Sequence, residues 1–164
     1  MTHALLLACG NALRGDDGVG LRIGEILQEY PPTDGIEIVL TQQLLPEHAE
    51  LVSRAELVVF VDCCATTAPG AVTSVSIEPA GELPRILTHH LDPASLLRMA
   101  VELYGSAPSR AVLVTVGGSA FEMEEKLSGR VAAAMPRAVA AVIAALRGYE
   151  TRVEANFASS YGDC

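Results

Sequence analysis

Cationic side chains are scarce in this chain: 11 Lys and Arg stand against 20 Asp and Glu, a formal net charge of -9. That balance excludes nucleic acid and an anionic membrane face as partners, since both would repel it, and suits a cation or a basic surface patch. Cysteine is equally sparing. Cys9, Cys63, Cys64 and Cys164 show no framework spacing and two are adjacent, so no disulfide scaffold is readable and reduced thiols in a cytoplasm are expected. No charged-then-apolar leader opens the sequence, and the apolar stretch from Ala4 is too short for a signal core. Nothing reads as a membrane span: the strongest apolar run ends at Asp62, and the Ala-rich segment near the end carries Pro136 and Arg137. Internal repeats and low-complexity linkers are also missing. The expectation is a soluble, cytoplasmic protein.

What is present is a core. Half of the 164 residues are hydrophobic and 19% are charged, which fits one compact domain over residues 1–164, with a tail of little periodicity from about residue 150 expected to fray. Ala4 to Cys9 reads as a buried strand, and Val19, Ile23, Ile26, Leu27 and Tyr30 recur at helical spacing behind it, with Asp16 or Asp17 placed to cap that helix. Ile36 to Leu40 is a second strand, and Pro46 opens a short helix. Leu57 to Val61 is apolar on both faces, as a central parallel strand must be. Ala71 to Ile77 alternates as an edge strand. Asp92-Pro93 starts a helix to Tyr104 with Leu96, Leu97, Ala100, Val101 and Tyr104 inward, Ala111 to Val116 is another buried strand, and a last helix ends at Gly148. The alternation predicts an α/β fold: a single domain with a mostly parallel twisted sheet of about five strands and helices on both faces.

In such sheets function gathers at the carboxyl ends of the strands. Two features fall there. The turn after the first strand carries the adjacent carboxylates Asp16 and Asp17, and the central strand runs straight into Asp62. Neighbouring acids beside buried backbone repel each other and lose hydration, so they favour a cation or acid/base chemistry. Each has a plainer explanation: Asp17 as a helix cap, Asp62 as a turn former, His89 as a packed or surface histidine. Two carboxylates and an imidazole brought to one crevice would instead suit a borderline divalent ion, weakly held. His90, beside His89, is equally placed by spacing alone. Cys63 and Cys64 read as small hydrophobes at a strand end rather than as thiolate ligands.

Gly10-Asn11-Ala12-Leu13-Arg14-Gly15-Asp16-Asp17-Gly18-Val19-Gly20 resembles the opening motif of the [NiFe] hydrogenase maturation proteases, G-N-x-L-x-x-D-(D/E)-x-x-G. Gln43-Leu44-Leu45-Pro46-Glu47, the strand ending at Asp62, Thr88-His89-His90-Leu91 and Val116-Gly117-Gly118 with Phe121-Glu122 follow in family order, and the likeness covers about residues 4–147. Cys9 departs from it, standing where glycine is usual, and Asp17 replaces a frequent glutamate.

The resemblance implies an endopeptidase that removes the C-terminal extension of the hydrogenase large-subunit precursor. It assigns Asp17, Asp62 and His89 both the metal contacts and the catalysis, His89 rather than His90 because one variable residue then separates it from leucine. The ion is nickel, supplied by the precursor. Water activated by the ion or a carboxylate is one attacking group, and a proton shared between Asp16 and Asp17 is another. Three other functions are open to the sequence: an aspartic-type, germination-protease-like endopeptidase without metal, a non-catalytic partner-binding scaffold, and a dinucleotide or flavin module. The last lacks G-x-G-x-x-G spacing and would set Asp16 and Asp17 against phosphate.

Overall fold

The centre of the molecule is β1 (Ala4–Cys9), buried at all six positions. A computed structural model describes residues 3–80 and 91–160, with side chains through residue 148. Because successive strand side chains point to opposite faces, β1 feeds two cores. Ala4, Leu6 and Ala8 pack with Val19, Ile23 and Leu27 of α1 (Val19–Glu29) and with Val131, Ala134, Ala138 and Val142 of α4 (Gly129–Ser160). Leu5, Leu7 and Cys9 pack with Ala49 and Val52 of α2 (His48–Arg54) and with Leu96, Leu97 and Ala100 of α3 (Pro93–Tyr104).

The sheet adds β2 (Ile36–Thr41), β3 (Leu57–Cys64), β4 (Val72–Ser76) and β5 (Arg110–Gly117) in the spatial order β2-β1-β3-β5-β4. All neighbours are parallel except β4 with β5. The expected five-stranded, mostly parallel sheet with helices on both faces is the one observed, and Ala71 to Ile77 is indeed an edge. From β1 the chain crosses one way to β2, then returns past β1 to lay β3 on its other side. Loops leaving β1 and β3 therefore diverge, and a crevice opens at their carboxyl ends.

Four local expectations are corrected. Neither Asp16 nor Asp17 caps α1: a 3-10 turn, Gly15–Gly18, precedes it, and its N-cap Gly18 makes no side-chain bond. The short helix begins at His48 rather than at Pro46. On α3, Asp92 does cap, accepting the Ser95 N–H at 2.8 Å, but Val101 and Tyr104 are 38% and 48% exposed while Met99 is buried. Leu96, Leu97 and Ala100 pack against the sheet with Leu5, Leu7 and Phe60.

Finally, α4 runs through Gly148 to Ser160. Gly148 does not have the positive φ that ends α3 at Gly105, and a helical glycine costs only about 1 kcal/mol. A Cβ there would lie 2.4 Å from the Arg110 guanidinium, so close approach explains the residue. Residues 129–148 are long and apolar enough to cross a bilayer, yet Val131, Ala134, Ala138 and Val142 are buried beneath the sheet. Residues 161–164 lie outside the described residues.

Candidate active-site cleft

The crevice is a cleft of about 500 Å³. Its first wall is the loop after β1. Gly10 opens that loop at φ 151°, donating its N–H to the Thr41 carbonyl at 3.1 Å. A Cβ at Gly10 would sit 2.1 Å from the Asp17 carbonyl oxygen, so the loop can double back here only on glycine. The Asp17 carboxylate, half-buried, accepts the Asn11 N–H at 3.1 Å and faces the cleft with Asn11 and Arg14.

A second lining residue is Asp62, near the end of β3, with Oδ1 accepting the N–H of Cys63 at 2.8 Å. The third wall is the loop after β2, with Gln42, Gln43 and Leu44. That loop is braced from behind by buried His48, whose Nδ1 accepts the Leu45 N–H at 3.0 Å. Burial, only partly opposed by the neighbouring Glu47 charge, keeps this imidazole below its ordinary pKa. The start of α3 closes the fourth side with Leu91, Asp92 and Pro93. Asp17 and Asp62 therefore share one cleft. His89 and His90 lie outside the described residues; Leu91, two positions after His89, lines that cleft. Among the described residues no three His, Cys, Asp or Glu side chains cluster closely enough to hold a metal ion.

Asp16 does something different. Its side chain is fully buried and turned away from Asp17 toward the segment between β5 and α4. There it accepts the N–H groups of Ser119 and Ala120, both at 2.9 Å, and the N–H and hydroxyl of Ser128 at 2.7 and 2.9 Å. Burial alone would raise its pKa, but these four donors outweigh it and hold the carboxyl below its usual range. An acid so stabilised as its anion is a poor partner for a proton shared with Asp17. The aspartic dyad loses its first member to architecture.

The thiols divide likewise. Cys63 is pushed up to about 12, by burial first and then by the charges of Asp17, Asp62 and Asp16. Cys9 also rises to about 12, through burial and then Asp62. Both stay protonated and pack as small apolar groups. Cys64 departs from that expectation: its sulfur lies 3.3 Å from the Thr66 hydroxyl, and hydrogen bonds from Thr66 bring it down to about 7.

No protein-family model and no curated protein matches this chain. Solved structures do. The hydrogenase maturating endopeptidase HybD from E. coli superposes with a TM-score of 0.73 at 27% identity, over 90% of this chain and 93% of its own. A hydrogenase 2 maturation peptidase from Thaumarchaeota archaeon SCGC_AB-539-E09 gives 0.67 at 26% identity, over 88% and 97%. This chain has the fold of the hydrogenase maturation proteases and resembles them in sequence. A further endopeptidase from Escherichia coli matches at 25% identity and a TM-score of 0.68, over 90% and 93%.

In this endopeptidase, the two adjacent acids of the first loop part company. Only the second reaches the cleft. Sequence reasoning treated them as a pair because the spacing is silent on direction. Ser128, immediately before a helix, was the available signal, since serine there is a common bonding partner. Nothing in the sequence ties Ser119 or Gly118 to the same point.

Proposed function

We propose that this endopeptidase removes the C-terminal extension of the nickel-loaded [NiFe] hydrogenase large-subunit precursor in the cytoplasm, with Asp17, Asp62 and His89 completing the coordination of the client's nickel. The observation that carries this reading is that Asp17 and Asp62 both line one cleft, at the β1/β3 crevice of a maturation-protease fold.

Two carboxylates and one imidazole form a modest ligand set for a borderline divalent ion, too poor in nitrogen to retain it against competitors. Such a set engages a client that brings the ion and ignores one that does not. The gate is thus a differential affinity between loaded and empty precursor. Once the tail lies in the cleft, water adds to the scissile carbonyl, a carboxylate of this pair takes the water's proton, and the amine departs protonated. Asn11, by donating its N–H to Asp17, fixes one of the carboxylate oxygens and leaves the other for that work.

The test is mass spectrometry of a co-expressed large-subunit precursor, with and without nickel. Loss of the C-terminal peptide only in nickel is the expected result. Trimming that proceeds equally in its absence overturns nickel recognition, and no trimming at all overturns the assignment of substrate.

A further inference from the structure

On the two loops that meet at cleft-lining Arg14, two large apolar side chains are held out in water. Met123 is 83% exposed and Leu13 is 52% exposed. They stand on loops bound to each other: the Glu124 N–H donates to the Leu13 carbonyl at 3.1 Å, and the Gly15 N–H donates to the Glu124 carbonyl at 2.6 Å. Arg14 and Glu124 form an isolated parallel bridge, which joins the two loops immediately after Leu13 and Met123.

The loops are anchored on both flanks. The Asp16 N–H donates to the Ala120 carbonyl at 2.8 Å, the Arg22 guanidinium donates to the Glu125 carbonyl at 2.7 Å, and the Asp16 carboxylate gathers Ser119, Ala120 and Ser128. The backbone that carries the two side chains is thus fixed. Exposed apolar groups of this kind mark places where another molecule docks, and a fixed backbone loses little entropy in docking.

The surrounding charge identifies the occupant. Around the pair and the cleft stand Asp17, Asp62, Asp92, Glu122, Glu124 and Glu125, against Arg14, Arg22 and Lys126. The matching surface is an apolar hollow bordered by Lys or Arg.

We propose that Leu13 and Met123 are the docking knob for the client polypeptide, seated in such a hollow on the precursor while its tail enters the cleft; this rests on the reading of the chain as a precursor-processing protease. The knob binds and orients, taking no part in the hydrolysis.

Single-turnover cleavage of nickel-loaded precursor, measured across precursor concentrations, tests it. Met123→Asp and Leu13→Asp should each raise the half-saturating concentration about tenfold or more, the effect of losing a well-packed anchor. The rate at saturation should stay within about twofold of wild type, because only uniform binding is lost. Met123→Leu should behave as wild type, and melting curves of all variants should coincide. Unchanged half-saturation in both Asp variants, or a fall confined to the saturated rate, overturns the docking role even while wild-type cleavage upholds the protease assignment. Wild type that neither binds nor trims the precursor removes both.

Discussion

Asp16 and Ser128 lie 112 residues apart and make two hydrogen bonds, the serine N–H and hydroxyl both donating to one buried carboxylate. With Ser119 and Ala120 as further donors, this carboxylate ties the loop after β1 to the loop after β5. The cleft's acidic wall is therefore positioned by a residue that does not face the cleft.

Asp16→Ala should unfold more easily. Each buried donor left unpaired costs about 1–3 kcal/mol, so the total should be about 3 kcal/mol or more. A melting temperature lower by roughly 6–12 °C would match, and one within about 2 °C of wild type would contradict the anchor.

Acid should act on the same group. Asp16 is held below its usual range when folded, so the unfolded chain binds its proton more readily. The stabilisation is complete above the unfolded value of about 3.9 and drains away as the pH falls through the folded one. Urea titrations of wild type and Asp16→Asn should show a gap in stability that narrows below about pH 4.

Gly118→Ala should be poorly tolerated although glycine there has an ordinary backbone. Its Cβ would lie 2.5 Å from the Cys63 sulfur and 3.0 Å from both the Asp16 Cβ and the Phe121 ring. Forcing these apart costs about 1–3 kcal/mol, readable as a shifted denaturant midpoint. Because the displaced groups are Asp16 and the neighbour of Asp62, activity should fall further than stability alone accounts for.

Asp62→Asn and Asp17→Asn should keep the far-UV spectrum and melting behaviour of wild type while abolishing precursor processing. His89→Ala should do the same. Near-normal trimming by any of the three removes that residue from the proposed site.

Alkylation should separate the thiols. Cys64, with its pKa near 7, should react with iodoacetamide at neutral pH well before Cys9 and Cys63, both held near 12. Peptide mapping over time gives the order, and early labelling of Cys63 would contradict it.

Much of the architecture could be read along the chain because its causes are local. Leu57 to Val61 is apolar at every position, which only a strand covered on both faces tolerates, and Asp92-Pro93 caps and starts α3 by short-range geometry. The opening motif likewise pointed to the family likeness, and two of its glycines answer to steric limits close in sequence, Gly10 against Asp17 and Gly18 against Ala12. Where a side chain's role depended on something distant in sequence, the pattern was mute. Asp16 and Asp17 are chemically identical neighbours, and only the return of residues 119–128 decides that one is anchored and the other open. Val101 and Tyr104 follow the helical period, but no packing partner covers them among the described residues and they remain in water. Spacing carries the energetics of turns, caps and strands; the partition of like residues between scaffold and cleft is set by the folded partners that arrive to meet them.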